Sequence, residues 1–225
     1  MAIVFVQNAS VFFGSPYNNP STPISVAATG SGNLLVLILP FVTTGVSPSV
    51  VTGVVDNAGN VYTQASGAYS AYEYSAGVWY VNDIWYKAGA TAGATSATAT
   101  ISPSPYRSGA VFFEYSGADP SSPFEIAGNA IPVGLYGVQA TITTTNPGDV
   151  LIESQCVVSS GNTGTPWTHD TGYPNVAADY LPGVAGVQST YLNNPVGAVS
   201  IAAFSPPSIP PGASAKKKAS MNLIF

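Results

Sequence analysis

The chain of 225 residues is 46% hydrophobic but only 7% charged, and its formal net charge is −5. Ten acidic residues but only two basic ones, Lys87 and Arg107, precede residue 215, so this part of the chain carries −8 (2 − 10). A surface of that sign excludes electrostatic binding of nucleic acid. An acidic, nearly uncharged composition rich in Thr and Gly is typical of proteins that work outside a cell. We therefore expect an extracellular or cell-surface location.

The length suits one large all-β domain or two small ones, and it can bury about 70% of the surface that the unfolded chain exposes. Cys156 is the single cysteine, which excludes an intramolecular disulfide, and the apolar run at residues 150–158 predicts a buried free thiol. No apolar run approaches the about 20 residues of a membrane helix. The N-terminus lacks a secretory signal pattern. If it is the native start, a virion component released by lysis would explain this composition.

Three strands are predicted in the N-terminal part, at residues 3–13, 24–28 and 34–42. The third, LLVLILPFV, is apolar on both alternating faces, which is typical of a central strand covered on both sides. One face would meet the sandwich core, and the other requires a loop, a helix or a neighbouring subunit. Pro40 should end the regular pairing or mark a bulge. The candidate assembly residues on this strand are Leu35, Leu37 and Leu39.

Residues 50–87 are predicted to form a hairpin, an insert and a further strand. The hairpin flanks are β-branched and aromatic, and the turn at residues 56–60, DNAGN, supplies Asp, Asn and Gly for a tight connection. The insert at residues 67–80 places Tyr and Trp among Ser, Gly and Ala, which is the composition of a rigid binding loop. Its aromatic side chains would stack on sugar rings, pack against another subunit or cover the end of their own sandwich. The candidate ligand-binding residues are Tyr69, Tyr72, Tyr74, Trp79 and Tyr80.

The rest of the chain adds further short strands. They are expected at residues 97–101, 111–116, 138–144, 150–158 and 196–204. Residues 159–195 are rich in Gly, Pro, Asn and Thr and are predicted to be loops. No segment has a convincing helical period. Roughly ten to twelve strands with turn signals indicate an all-β fold, an antiparallel β-sandwich of jelly-roll or immunoglobulin-like type. We expect a single domain over residues 1–205.

Residues 206–225 are predicted to be a Pro-rich linker and a C-terminal arm. The three lysines at 216–218 would contact an acidic neighbour, such as the preceding domain in cis or in trans, or form a solvated tail. The ending MNLIF is apolar enough to add a strand to an exposed sheet edge. The candidate assembly residues in the arm are Met221, Leu223 and Phe225.

A short echo links two of the predicted strands. Gly32-Asn33 precedes LLVLIL, and Gly148-Asp149 precedes VLIES. Strands in equivalent positions of two sheets would produce this echo, although its length does not establish a repeat.

Residues that could carry catalysis are few. His169 is the single histidine, and no G-x-S-x-G nucleophile elbow accompanies it, so we interpret it as a loop residue. With one His and one Cys, a zinc site is nearly excluded. Asp56, Asn57 and Asn60 resemble half of a calcium loop, but their spacing favours a hydrogen-bonded turn. Carboxylates that could form a glycosidase pair, with no spacing rule to test it, are Glu73, Asp83, Glu114 and Glu125. We expect no catalytic site, no metal and no cofactor.

Four short motifs occur together along the chain. They are D-x-x-G-N-x-Y (Asp56, Gly59, Asn60, Tyr62), IWY (Ile84, Trp85, Tyr86), E-x-S-G (Glu114, Ser116, Gly117) and AAF (Ala202, Ala203, Phe204). With these motifs, residues 24–205 resemble β-sandwich modules of phage tail and other virion proteins and of bacterial cell-surface proteins. The resemblance implies a structural or adhesive role, and it brings no catalytic motif.

Together these patterns predict a non-enzymatic structural protein of a virion or cell-surface assembly. It would form a homo-oligomer or lattice through its β-sandwich faces and its arm, and it would contact other structural subunits. The alternative is a carbohydrate-binding or adhesin module that holds surface glycans with the Tyr-rich insert. Neither function involves nucleic acid or insertion into a membrane.

Overall fold

The computed structural model describes residues 2–132, 139–157, 167–168, 176–180, 185–190 and 197–208. These residues contain strands paired in antiparallel ladders and no helix, so the all-β prediction is confirmed. The strands are β1 (Val4–Phe13), β2 (Ser21–Ser25), β3 (Leu34–Thr44), β4 (Val50–Asp56), β5 (Thr63–Gln64), β6 (Ser70–Ser75), β7 (Val78–Lys87), β8 (Ser96–Ser102), β9 (Arg107–Ser116), β10 (Phe124–Ala130), β11 (Thr141–Thr144), β12 (Val150–Val157), β13 (Val176–Tyr180), β14 (Gly186–Ser189) and β15 (Gly197–Phe204).

The first nine strands form one long hairpin rolled into two sheets. Its pairs are nested, because β1 pairs with β9, β2 with β8 and β3 with β7, while a bridge between Val55 and Val61 closes the inner end. The first large sheet has the order β1-β9-β3-β7-β5, with β6 also on β7, and the first small sheet has the order β2-β8-β4. A rolled hairpin of this kind is a jelly roll, so the immunoglobulin-like alternative is not needed.

The last six strands repeat this arrangement. Here β10 pairs with β15, β11 with β14 and β12 with β13. The second large sheet has the order β10-β15-β12-β13, and the second small sheet consists of β11 and β14. The strands β3 and β12 therefore occupy the same position in the two rolls. These are the strands that follow Gly32-Asn33 and Gly148-Asp149, so the sequence echo marks equivalent strands.

The four sheets stack as layers around three cores. The inner core lies between the two large sheets and includes Val36 and Ile38 on one side and Ile152 and Phe204 on the other. The first outer core lies between the first large and first small sheets, and the second outer core lies between the second large and second small sheets. Each fully buried aliphatic or aromatic side chain contributes about 1.5–3 kcal/mol. Both rolls share the inner core, and the single-domain prediction for residues 1–205 stays a prediction.

The second face of β3 is covered by the chain itself. Leu35, Leu37 and Leu39 are fully buried in the first outer core, against residues of the first small sheet such as Val54 and Ile101. The expectation that these three leucines form an assembly surface is therefore wrong. Sequence periodicity correctly indicates two covered faces, but it does not reveal that strands from the same chain cover the second one.

Pro40 lies within β3 without ending it. Pairing with β7 runs through Pro40 opposite Asn82. On the β9 side the partners resume in the same register at Phe41 after Ile38, so only the pairs at Leu39 and Pro40 are missing. A proline has no N–H to donate, and its neighbours hold the strand in place.

Three segments differ from the predicted strands. The Tyr-rich insert contains β6 and the start of β7, the predicted loop at 159–195 contains β13 and β14, and β10 was not expected at all. The sequence of β10 includes Gly128, a residue that weakens strands in isolation. A Cβ atom at Gly128 would lie 2.9 Å from Ile142 Cγ2 and 3.0 Å from the Thr141 carbonyl oxygen. Close packing onto β11 therefore selects glycine here.

Candidate functional site

The Tyr-rich segment is a hairpin at one end of the first large sheet. Strands β6 and β7 are joined at Ala76 and Gly77, where Gly77 has φ +75° and its N–H donates to Glu73 Oε1 at 2.9 Å. Successive residues of a strand point to opposite faces. The hairpin therefore divides the five candidate aromatic side chains between two sides of the sheet.

Tyr69 and Trp79 pack on the outer side and are structural. Both lie against the first outer core. The Tyr69 hydroxyl donates to the Ser49 carbonyl oxygen at 3.3 Å, and Trp79 Nε1 donates to the Gly45 carbonyl oxygen at 3.1 Å. These contacts fasten the 45–49 loop to the hairpin, so the geometry does not bring these two residues into a common binding site with the others.

The remaining candidates face the inner side of the sheet. Tyr72 lies opposite Tyr80 in the ladder. The rings of Tyr74 and Tyr80 meet edge to face, with centroids 5.8 Å apart and an interplanar angle of 89°. Tyr80 is buried, whereas Tyr74 is 48% exposed. Tyr74 therefore presents an aromatic surface that Tyr80 supports from behind.

Tyr74 and Tyr80 border a cleft of about 200 Å³. The other wall comes from Tyr106 and Arg107, where the chain enters β9, and the Tyr106 N–H donates to the Val42 carbonyl oxygen at 2.8 Å. The Arg107 guanidinium carbon lies 5.8 Å from the centre of the Tyr106 ring, within the distance of a cation–π contact. The cleft is lined by Val42, Thr44, Tyr74, Ser75, Val78, Tyr80, Tyr106 and Arg107.

Tyr106 and Arg107 are the site residues that sequence reasoning missed. They lie far along the chain from the Tyr-rich hairpin, and only the pairing of β3 with both β7 and β9 brings the two segments together. The available signal was Arg107 itself. It is one of two cationic side chains before residue 215. In a chain with so few charges, each charged residue is a candidate for a functional role.

The Asp56 turn is held together by hydrogen bonds to the Asp56 carboxylate. Asp56 Oδ1 accepts from the backbone N–H groups of Ala58 at 3.0 Å and Asn60 at 2.9 Å, and Oδ2 accepts from Asn60 Nδ2 at 2.8 Å. Asn60 Oδ1 in turn accepts from the Thr91 N–H at 2.8 Å. Donors thus occupy both carboxylate oxygens, which favours the hydrogen-bonded turn over the calcium interpretation.

Glu114 has a similar internal role. It is fully buried, and its Oε1 accepts from the Gly30 N–H at 2.7 Å and from Asn33 Nδ2 at 2.6 Å, while Oε2 accepts from the Gln7 side chain. Glu114 therefore holds the turn before β3 against β1 and β9. Its partners are amides rather than a second carboxylate, so the contacts are those of a structural residue.

Asp83 is a second fully buried carboxylate. It accepts from Trp85 Nε1 at 2.8 Å and from Gln64 Nε2 at 2.9 Å. Burial raises the pKa of Asp83 to about 6, against the lowering effect of the hydrogen bonds from Trp85, Gln64 and the Ile84 N–H. Like Glu114, it fastens neighbouring strands.

Among the described residues, the carboxyl groups of Glu125 and Asp149 lie close enough to shift each other's pKa. Burial raises the pKa of Asp149 to about 7, and the interaction with Glu125 adds to the rise. Burial also acts to raise the pKa of Glu125, but interactions with Asp149, Thr145 and Asn146 outweigh it and lower that pKa to about 2. Between about pH 2 and pH 7, the favoured state is therefore a protonated Asp149 beside an ionised Glu125. The pair connects the start of β10 to the turn before β12.

Cys156 is buried and free, as predicted. Its Sγ lies 3.5 Å from the Phe41 carbonyl oxygen, and burial raises the pKa of the thiol to about 12. His169 and the arm residues Met221, Leu223 and Phe225 lie outside the described residues. Within the described ranges, no helix has the length and apolarity needed to cross a membrane.

Comparisons with known proteins identify no family. No family model matches the chain, and no curated protein matches it. The chain is similar to a solved structure, "Crystal Structure of the STIV MCP", of a viral major capsid protein, at 10% sequence identity and a TM-score of 0.28. That similarity covers 93% of this chain and 100% of the other. At this identity and TM-score it carries no conclusion about function.

Proposed function

We propose that the chain is a non-enzymatic structural subunit of a virion or cell-surface assembly. The observation that supports this function is the stack of two jelly rolls joined through their large sheets. Jelly rolls serve as capsid and lectin domains, although a fold by itself does not determine a function. The sparse charge and the resemblance to virion and surface modules point the same way.

Self-association through the C-terminal arm is the proposed mechanism. Residues 221–225, MNLIF, would add a strand to a neighbouring subunit, where backbone hydrogen bonds supply affinity. The lysines at 216–218 would approach the acidic surface of that neighbour. Because the leucines of β3 are internal, the arm carries the assembly role that the sequence also assigned to them.

Deletion of residues 213–225 tests this proposal. We expect the truncated chain to keep the circular dichroism spectrum of the full chain but to scatter light as a smaller species. The matched control replaces the three lysines at 216–218 with serine and leaves MNLIF in place, which should weaken association only at low salt. Unchanged assembly of the truncated chain would overturn the arm mechanism.

A second candidate function is binding of surface glycans. It is favoured by one observation, the cleft where Tyr74 and Tyr80 face Tyr106 and Arg107. Substitution of Tyr74 by alanine should reduce retention of the chain on immobilised glycans. Substitution of Trp79, which lies on the other face of the sheet, should not, and an equal loss in both variants would contradict this assignment.

A further inference from the structure

Arg107 is one of few charged side chains in this protein, and its charge is not balanced by a neighbouring carboxylate in the described part of the chain. In the described part of the chain, its guanidinium makes a contact with the Tyr106 ring and no ion pair with a carboxylate. Lys87, the other cation before residue 215, lies at the far end of β7 from Val78 in the cleft. The residues before 215 carry a net charge of −8 (2 − 10). Arg107 is therefore a positive group on a protein whose overall electrostatic potential is negative.

The groups around Arg107 are those that bind a sugar ring. Tyr74 and Tyr106 are 48% and 36% exposed and offer aromatic faces, and Thr44 and Ser75 offer hydroxyl groups. The volume of about 200 Å³ is below the about 300–1,000 Å³ of pockets for drug-sized ligands. A single sugar residue at the end of a glycan is an occupant of the right size.

The charge of Arg107 selects among sugars. A ligand that covers the guanidinium removes water from it, and the hydroxyl groups of a neutral ligand return only part of the lost interaction energy. A carboxylate does, because the planar guanidinium can donate two parallel hydrogen bonds to its two oxygens. A sugar that bears a carboxylate should therefore bind in this cleft more tightly than a neutral one.

We propose that this cleft binds a carboxylated sugar residue, with its carboxylate on Arg107 and its ring against Tyr74 and Tyr106. The inference rests on the second proposed function, glycan binding, and names its ligand class. It is independent of assembly through the arm, because the cleft consists of residues in β3, β6, β7 and β9 and the segment that leads into β9.

The test compares two sugars that differ only in the carboxylate, methyl β-glucuronide and methyl β-glucoside. Titration of the full chain, followed by NMR to reach weak dissociation constants, should show at least tenfold tighter binding of the glucuronide. Arg107→Met should remove that difference. Arg107→Lys, which keeps the charge but not the planar fork, should retain part of it. Lys87→Met is the matched control and should bind like the unmodified chain.

Each other outcome overturns the inference in a distinguishable way. Equal binding of both sugars that is insensitive to Arg107→Met would overturn the carboxylate preference and leave glycan binding standing. If Lys87→Met weakened glucuronide binding as much as Arg107→Met does, the preference would come from the net charge of the protein rather than from a site at Arg107. If methyl glucoside 6-sulfate bound as tightly as the glucuronide, the cleft would select for any anionic sugar and not for a carboxylate in particular. Absence of binding to every sugar would overturn the second function together with the inference.

Discussion

Single carboxylates in this protein act as fasteners between segments. Asp56 accepts hydrogen bonds within its own turn, whereas Glu114 and Asp83 accept them from a turn and a strand elsewhere in the chain. A hydrogen bond to a charged group contributes about 1.5–3 kcal/mol, so a chain with few charges can still derive much stability from them. Asp56, Asp83 and Glu114 are buried, and these hydrogen bonds offset the cost of removing their charge from water.

Asp149 should make the stability of the chain depend on pH. Its pKa of about 7 in the folded chain lies above its ordinary value of 3.8. The stability it contributes is therefore complete below about pH 4 and is lost as the pH rises through 7, with a limiting slope of about 1.4 kcal/mol per pH unit. Asp149→Asn should flatten the decline between pH 4 and 7, which urea unfolding at pH 4, 6 and 8 would measure.

Other carboxylates shape the same pH profile. Asp83 should add its own decline between about pH 4 and 6, and Glu125 should lose its contribution as the pH falls from 4.5 toward 2. Glu73→Gln, a change at an exposed carboxylate, is the control for Asp149→Asn. Parallel pH profiles for the unmodified chain and Asp149→Asn would contradict the assignment.

Residues were predictable where their roles are local. The Asp56 turn follows from Asp, Asn and Gly between two β-branched segments, and burial of Cys156 follows from its apolar neighbours. Arg107 and Asp149 were not assigned, because each acquires its meaning from a residue on another strand. A local sequence pattern does not predict strand register. It is the register that brings Arg107 beside Val42 and the start of β12 beside the end of β15.

At the scale of elements, the alternation of side chains along a strand determines where the aromatic residues lie better than the composition of the segment does. The Tyr-rich insert resembles a binding loop, but pairing of β6 with β7 sends Trp79 and Tyr80 to opposite faces. Composition alone could not show this, since both a loop and a hairpin accept Tyr, Ser and Gly. The binding candidates are therefore reduced to the side chains on one face, joined by two residues of β9 and its approach.

Strand β1 offers exposed apolar side chains for contacts between copies. It lies at one end of the first large sheet, its sequence VFVQNASVFF has no charged residue or proline, and Val4 and Phe12 are 55% and 43% exposed. Such strands promote association. Val4→Glu and Phe12→Glu should reduce the assembled fraction in light scattering and leave the circular dichroism spectrum unchanged.

Val46→Glu provides the control for these changes. Val46 is fully exposed in the loop after β3, so the same change of charge should leave assembly intact. If all three variants assemble like the unmodified chain, β1 is not part of the contact, and only the arm remains as its proposed source.

The whole molecule should unfold as one unit, because the two rolls share the inner core. Phe204 in β15 packs against Tyr86 in β7, with ring centroids 5.3 Å apart. Phe204→Ala should cost about 3–5 kcal/mol, and hydrogen exchange should show that protection falls equally in strands of both rolls. Val187→Ala, at an exposed position of β14, should change neither roll. Loss confined to the second roll would indicate two independent domains.

At this scale the fold class was predictable and the architecture was not. Short apolar strands and turn signals identify a β-sandwich, and the two apolar faces of β3 indicate a buried sheet. The number of layers depends on which strands pair. That is decided by contacts between segments as distant as β1 and β9, or β10 and β15, whose sequences share no local signal.

Each roll returns the chain to the place where it entered, since β1 pairs with β9 and β10 pairs with β15. A gene segment for such a unit can be copied in tandem without disturbing either copy, and residues 117–123 suffice here to connect them. The second large sheet, with the order β10-β15-β12-β13, follows the order β1-β9-β3-β7 of the first. A chain with a single roll would expose the surface that is now the inner core, and it would require a second copy of the roll to cover that surface.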